Sequence, residues 1–404
     1  MEQFIFVTII LIIFIFYNIK KKRDLLLPEN LFTIVILSTY AIACLGFSNL
    51  QHEYKFSYTI VILIFILSFY LGAHIKLGDK NTFTYNYNEK KLKISVYVLF
   101  TIVLSSFLIM CLKLGPPPLI SKQDRATYFL SGVGTVYLMI DVLSFLIIFD
   151  LFDKKIIGKK SYIMLAIILA MIILMSNKFQ IIYFACQYLV LYNIMKKKIK
   201  LVTLLKLVVV ALVIFIIYYN FIYNGMYISN DEMYTVNQMN FSQKYSLLTN
   251  PYLYVAFNYE NIYNYMKLDS VTYGFGYYTF EEILDAINLK ELLIDNNELL
   301  INQWKNNLQY PWLTTGTIFR EFYMDFGYPG TCLMMMVLGI ICHNSYKRCY
   351  TNKSIFYIYL YATNMVSIFL AFFTNNFISI NYIINLLCAY IISKYCFKKS
   401  WLKK

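Results

Sequence analysis

Charged side chains are scarce: only 14% of the 404 residues are Asp, Glu, Lys or Arg. That is too little polar surface to clothe a water-soluble body of this size, so a soluble globular protein is excluded. Histidine is scarcer still. His52, His74 and His343 stand alone, and the chain has no HExxH, no paired CxxC, no Walker loop and no dinucleotide fingerprint; GVG at 132–134 is too short to count as one. We therefore expect no metal site and no cofactor. The eight cysteines, Cys44, Cys111, Cys186, Cys332, Cys342, Cys349, Cys388 and Cys396, all fall in or beside apolar runs, which argues against a disulfide framework. No internal repeat and no Gly/Ser- or Pro-rich linker divides the chain, so residues 1–404 read as a single integral-membrane domain.

What is abundant is apolar sequence: 59% of the chain is hydrophobic, with a mean hydropathy of +0.57. Runs long enough to span a bilayer lie at 3–19, 31–47, 57–75, 94–112, 135–152, 161–177, 179–195, 201–223, 323–344, 355–374 and 378–393. The fold class is thus all-α, a polytopic integral membrane protein of about 11 transmembrane helices. The formal charge of +14 would suggest a nucleic-acid partner in a soluble protein, but here 26 of the 36 basic residues, counting Lys206, lie in or beside alternate joins and the C-terminal tail. By the excess of Lys and Arg in short cytoplasmic loops, that side faces the cytoplasm. We expect a multi-pass plasma (inner) membrane protein with its N-terminus outside, its C-terminus cytoplasmic and membrane lipids, not nucleic acid, as neighbours. The first run carries its cations after it and reads as a retained anchor, not a cleaved signal.

Two outer loops are large, 113–134 and 224–322, and long loops are uncommon unless they bind or catalyse. The second holds ten acidic and four basic residues between Asn224 and Gly316, and fourteen tyrosines fall between Tyr218 and Tyr278. Those tyrosines either offer faces to sugar rings or anchor the loop at the interface. From Tyr277 to Trp304 the apolar spacing predicts an amphipathic helix lying on the membrane surface or on neighbouring spans.

In GPPPLISKQDRATYF, residues 115–129, Pro116, Pro117 and Pro118 exclude a membrane helix. Ser121 and Asp124 have capping-box spacing. The expectation is a short helix restarting there, with Arg125 in or near its first turn, Tyr128 and Phe129 on its apolar side, and free amides beside a guanidinium. That arrangement suits a phosphate or pyrophosphate, although Lys122 and Arg125 meeting lipid headgroups is the competing reading. In TGTIFREFYMDFGYPG, residues 315–330, Glu321 and Asp325 are four apart and would share a helix face with Arg320 beside them. Gly327, Pro329 and Gly330 predict a kink. An interfacial ion pair that only orients the helix is the alternative. Asp141 lies inside the fifth run near its wet outer edge, and Lys178 opens the seventh at a tight outer turn. Both are suspects as ionisable groups at membrane depth.

Taken together, the G-x-P-P-L-x(5)-R loop, the basic residue after a tight outer turn, the long late outer loop and the span opening near REFYMDFGYPG resemble the oligosaccharide repeat-unit polymerases. These are the Wzy-type enzymes of O-antigen and capsule polysaccharide synthesis, and the likeness of layout covers nearly the whole chain. The resemblance implies a metal-independent, GT-C-like membrane glycosyltransferase. It would transfer a growing glycan from its undecaprenyl pyrophosphate carrier to the non-reducing end of an incoming lipid-linked unit, with a flippase and a chain-length regulator as partners. It implies that outer-loop arginines are functional, which matches Arg125 and, less closely, Arg320; we expect these two to hold the pyrophosphate with Lys178 or Lys122 assisting, and count Asp141 and Tyr128 among the candidate substrate-binding residues. Where the family often has arginine at the tight turn this chain has Lys178, which keeps the charge and loses the bidentate fork. From the chemistry alone, Asp325 or Glu321 would serve as general base, with Asp141 behind them. A flippase and an O-antigen-ligase type of transferase are the alternatives. An outer-loop catalytic histidine would favour the ligase, and His52 is the only outer histidine.

Overall fold

In a computed structural model, residues 1–21, 24–75, 86–123, 127–153, 156–196, 198–199, 203, 206, 213, 229–268, 270–286, 302–308, 313–351 and 354–398 are described. The fold is helical. In order come α1 (Glu2–Lys20), α2 (Pro28–Ala43), α3 (Phe56–Ala73), α4 (Glu89–Leu114), α5 (Pro118–Ser121), α6 (Val133–Tyr137), α7 (Ile140–Asp153), α8 (Lys160–Leu174) and α9 (Lys178–Met195), followed by α10 (Asn230–Val236), α11 (Thr249–Met266), α12 (Tyr277–Ala286), α13 (Phe319–Thr351), α14 (Ile355–Phe369) and α15 (Ile380–Cys396). Five helical stretches, α1, α3, α4 with α5, α6 with α7, and α13, are long and apolar enough to cross a membrane, and α2, α8, α9, α14 and α15 are shorter apolar helices. The eighth expected span, 201–223, falls almost wholly outside the described residues.

Helix α1 shows why the apolar runs need lipid. Ile9, Ile12, Ile13 and Phe16 are each more than half exposed, and an unbroken apolar surface of that kind is stable only in hydrocarbon. Local signals set the ends of other helices. Pro28 opens α2 where a missing amide costs nothing. The Asn88 side chain accepts from the Lys91 amide to start α4, and Ser229 accepts from the Glu232 amide to start α10.

The chain divides into two compact units, each woven from three segments, so no linker marks the boundary. One comprises Met1–Lys76, Lys200–His343 and Ser367–Ser379; the other comprises Leu77–Ile199, Asn344–Val366 and Ile380–Lys404. In the first unit α2 packs against α1, α3 and α11. The join between α2 and α3 is stitched to the large loop: Ser48 bridges Met239, the Ser48 hydroxyl donates to the Asn237 carbonyl at 2.7 Å, and the Asn240 amide donates to the Phe47 carbonyl at 3.0 Å. Beneath it Tyr40, Tyr54, Tyr58, Tyr259 and Tyr263 form one buried ring cluster. Tyr58 lies 4.9 Å from Tyr263 and Tyr40 lies 5.2 Å from Tyr259 between centroids. In the same unit α3 and α13 approach until a Cβ built on Gly72 would lie 2.0 Å from the Met336 carbonyl oxygen.

In the second unit α7 packs against α4, α8, α9 and α15. Polar side chains join helices across the apolar interior, as expected where no water competes. Asn364 donates to the Ser345 hydroxyl at 2.9 Å, and the Tyr382 hydroxyl donates to Asn364 at 2.6 Å. The Asp150 carboxylate accepts the amides of Ile156, Ile157 and Gly158, closing the turn into α8. A two-residue ladder pairs β1 (Asn86–Tyr87) antiparallel to β2 (Phe397–Lys398).

Candidate functional site

The first unit carries the REFYMDFGYPG segment. Arg320 and Glu321 occupy the first turn of α13, where a carboxylate is favoured by the helix dipole. The two side chains pair directly, Arg320 Nη2 to Glu321 Oε1. Arg320 Nη1 also donates to the Thr314 carbonyl at 2.8 Å, and the guanidinium lies 5.1 Å from the centroid of the Trp304 ring. Trp304 Nε1 donates to the same Thr314 carbonyl at 3.3 Å. A carboxylate, a carbonyl and an aromatic face thus fix one guanidinium whose side chain is still 26% exposed. Pairing of Arg320 with its neighbour was legible in the sequence. Trp304 and Thr314 were not, because neither is near Arg320 in helical register.

Asp325 is placed otherwise than the four-residue spacing implies. Its Oδ1 accepts the Tyr278 amide at 3.1 Å and its Oδ2 the Thr279 amide at 2.7 Å, which caps the N-terminus of α12. The expected break in α13 is the cause of this stitching. Gly327 adopts φ 62, ψ −162 inside the helix, and the carbonyls released before it are taken by the loop preceding α12. Gly274 donates to Met324 at 3.0 Å and Phe275 to Asp325 at 3.2 Å. With both oxygens engaged and no exposed surface, Asp325 acts as a positioning residue for α12. Asp325→Ala is expected to cost about 1–3 kcal/mol through unpaired buried amides. Hydrogen exchange should be faster at Tyr278 and Thr279 and unchanged in α3; unchanged exchange at both amides would remove the capping role.

The tyrosines of the large loop are mostly interior. Tyr252, Tyr259, Tyr263, Tyr265, Tyr277 and Tyr278 are all buried, and Tyr265, Tyr277, Tyr278, Trp304, Tyr323 and Met324 form one apolar cluster under the Arg320 site. Burial also pushes the Tyr278 and Tyr265 hydroxyls up from their ordinary values. These rings serve as core, so they present no faces to a ligand; Tyr245 and Tyr273 are the exposed ones among those described. Of the expected helix from Tyr277 to Trp304, α12 accounts for the first ten residues, and 287–301 lie outside the described residues.

The second unit holds the 115–129 segment, and here the expectation is corrected. The helical turn is Pro118–Ser121, ending where the capping box would have begun one. Lys122 follows in left-handed backbone at φ 57. Proline fits the first helical position, so the triple proline starts the turn instead of delaying it. The turn's amides are consumed internally: Ile120 and Ser121 donate to the Pro117 carbonyl and Lys122 to the Pro118 carbonyl. Asp124 and Arg125 lie outside the described residues. Lys122 is exposed. Tyr128 is 2% exposed and donates its hydroxyl to the Gly115 carbonyl at 2.7 Å, so it locks the loop to the end of α4. Its expected neighbour on an apolar side, Phe129, is 49% exposed.

Asp141 is enclosed at 3% exposure, not wet as its position in the run implied. The fifth expected span breaks between Tyr137 and Ile140 and seats Asp141 in the first turn of α7. There Asn381 Nδ2 lies 3.4 Å from its Oδ2. Gln187 donates to its backbone carbonyl at 2.9 Å, and Ser144 bonds both that carbonyl and Gln187. Lys178 begins α9 after Asn177, whose side chain accepts from the Gln180 amide; its own side chain lies outside what is described.

Among the described residues, no group of three or more His, Cys, Asp or Glu side chains is placed to hold a metal ion. No family model matches the chain, and neither does any curated protein or any solved structure.

Proposed function

We propose that the chain is a membrane glycosyltransferase of GT-C-like, roughly eleven-span architecture that polymerises lipid-linked oligosaccharide repeat units on the outer face of the plasma membrane. The substrate is an undecaprenyl-pyrophosphate-linked glycan. The observation that carries the reading is the fixed guanidinium of Arg320. It stands at the start of a broken apolar helix, clamped by Glu321, Thr314 and Trp304 and still open to solvent.

Such a group matches the chemistry. As the glycosidic carbon–oxygen bond breaks, negative charge grows on the pyrophosphate. A cation already locked in place stabilises that charge more in the transition state than in the ground state. Glu321 tempers the ground-state attraction by neutralising part of the charge, leaving the unused guanidinium donors for the departing oxygens. On the resemblance alone, Arg125, with Lys178 or Lys122 assisting, is a second candidate for the pyrophosphate. On this reading residues 48–56, 113–134 and 224–322 lie outside and the C-terminus is cytoplasmic, which the lysine-rich joins on the opposite side support.

The test is genetic deletion followed by complementation with wild type or Arg125→Ala, with surface glycan resolved by size. The expected outcome is a ladder from wild type and single repeat units from the variant. Lipid-linked units trapped on the cytoplasmic leaflet would point to a flippase, and unchanged ladders would remove Arg125 from the mechanism.

A further inference from the structure

His52 lies in the join between α2 and α3, and its Nδ1 is 2.5 Å from Oε1 of Glu260 on α11. The His52 amide donates to that same oxygen at 3.3 Å. A carboxylate oxygen that already takes an amide proton is an acceptor, so Nδ1 carries a proton, and in the neutral imidazole Nε2 is left with its lone pair. The two partners differ sharply in exposure. The Glu260 side chain has none, while that of His52 is 46% exposed. Among the described residues Glu260 Oε2 has no hydrogen-bond partner at all. A wholly buried carboxylate with an idle oxygen is costly, and burial pushes Glu260 up from the usual carboxylate range although His52 pulls it back. Such a cost is out of proportion to pinning one surface loop. The join is already pinned on either side: Gln51 donates to the Ala43 carbonyl at 2.6 Å, and the Lys55 amide donates to the Tyr263 hydroxyl at 3.2 Å.

The pair is tied to the Arg320 site by the next residue of the same helix. Asn261 donates to the carbonyls of Leu313 at 2.6 Å and Thr315 at 2.9 Å, and the Thr315 hydroxyl donates to Asn258 at 2.6 Å. The Thr314 carbonyl between them is the one that holds Arg320 and Trp304. Consecutive residues of α11 therefore set the imidazole and the guanidinium. The carboxylates that the sequence offered as general base are otherwise occupied: Asp325 holds two amides, Glu321 holds Arg320, and Asp141 is enclosed.

We infer that His52, oriented by Glu260, is the catalytic base that activates the acceptor sugar hydroxyl, an assignment that rests on the transferase reading above; a catalytic outer histidine is also what the ligase alternative expects, and ladder formation from lipid-linked units alone is the readout that belongs to the polymerase. The hydroxyl oxygen bonds to the anomeric carbon as the bond from that carbon to the pyrophosphate oxygen breaks. The bonding pair leaves on the pyrophosphate, and the hydroxyl proton passes to Nε2. The resulting imidazolium is stabilised by the Glu260 carboxylate, the arrangement used wherever a buried acid holds a catalytic imidazole in one tautomer. Glu53 and Lys55 on the same join, and Lys267, whose ammonium lies 4.4 Å from the Tyr263 ring centroid, are the charged groups around it.

The experiment uses the full-length protein in lipid nanodiscs and, as probe, a lipid extract from the deletion strain, in which unpolymerised lipid-linked units accumulate. Initial rates of ladder formation are compared for wild type, His52→Ala, His52→Gln and Glu260→Gln, with and without added imidazole. Expected are a loss of about 10²–10⁴-fold for His52→Ala, partial rescue of that variant by imidazole, and an intermediate rate for Glu260→Gln. His52→Gln, which keeps size and polarity at a half-exposed position, is read in place of alanine if the latter lowers the melting temperature. If wild type polymerises while both His52 variants stay within about twofold of it, or imidazole restores nothing, the dyad is a structural pin and the transferase reading survives. A wild type that builds no ladder from this extract defeats both.

Discussion

Arg320→Ala is expected to slow ladder formation by about 10²–10³-fold, the usual cost of removing one preorganised donor from a developing oxyanion. Arg320→Lys should fall between, because an ammonium keeps the charge but cannot bond Glu321, the Thr314 carbonyl and a departing phosphate oxygen in one plane while stacking on Trp304. The variant also disturbs the fold, and the two effects have to be separated. Glu321 is only 5% exposed, so removing its partner strands a nearly buried charge. Breaking a fully buried pair costs about 3–5 kcal/mol; less is expected here because the Arg320 side chain is 26% exposed. The double change Arg320→Met with Glu321→Gln removes the stranded charge and should recover most of the melting temperature without recovering the rate. Recovery of both would make Arg320 a structural residue, and wild-type rates in Arg320→Ala itself would end its place in the mechanism.

The largest effect on stability is expected at Gly72 and Gly339. A Cβ at Gly72 would lie 2.0 Å from the Met336 oxygen, and one at Gly339 would lie 2.1 Å from the Phe69 oxygen. Both obstacles are main chain on the facing helix, so no side chain can swing aside, and α3 and α13 must separate by about 1 Å to reach even a tight contact. Gly→Ala gains about 1 kcal/mol of helix propensity. Against that, a gap of 0.5–1 Å forfeits a quarter to a half of each dispersion contact along the seam, and overpacking of this kind costs about 1–3 kcal/mol. The packing loss wins because it falls on the whole seam, including Phe65 and Phe319, whose ring centroids are 4.9 Å apart. Each substitution should lower the apparent Tm in detergent. The pair should cost less than the sum, since both relieve the same approach. Leu71→Ala, at a half-exposed neighbour, is the control and should change little. Unaltered melting of Gly72→Ala would refute the close approach.

How much was legible depended on whether the deciding partner was near in sequence. The apolar runs among the described residues found their helices because a bilayer forces every backbone group to be satisfied within its own segment, making length and hydropathy sufficient signals. The break at Gly327 was legible for a similar reason: a Gly with Pro two residues on is local information. Ser121 with Asp124 misled about where the helical turn begins, since capping-box spacing says nothing of a proline turn that ends at Ser121. Asp325 misled because its partners, Tyr278 and Thr279, lie nearly fifty residues earlier. Tyrosines 252, 259 and 263 gave no hint of burial, as an aromatic composition suits either interior or interface.

By itself, then, the sequence determined that this is a helical membrane protein and where its main helices run. It also determined that Arg320 and Glu321 would stand together at the outset of a broken helix. Each of those follows from hydrophobic length, proline and glycine stereochemistry, or a spacing within one turn. Only the tertiary structure decided that Trp304 and Thr314 clamp Arg320, that Asp325 caps α12, that Glu260 holds His52, and that two glycines let α3 and α13 touch. Those contacts join residues from six to hundreds of positions apart, across breaks in the helices, and their geometry is set by how the elements pack, which no local pattern encodes.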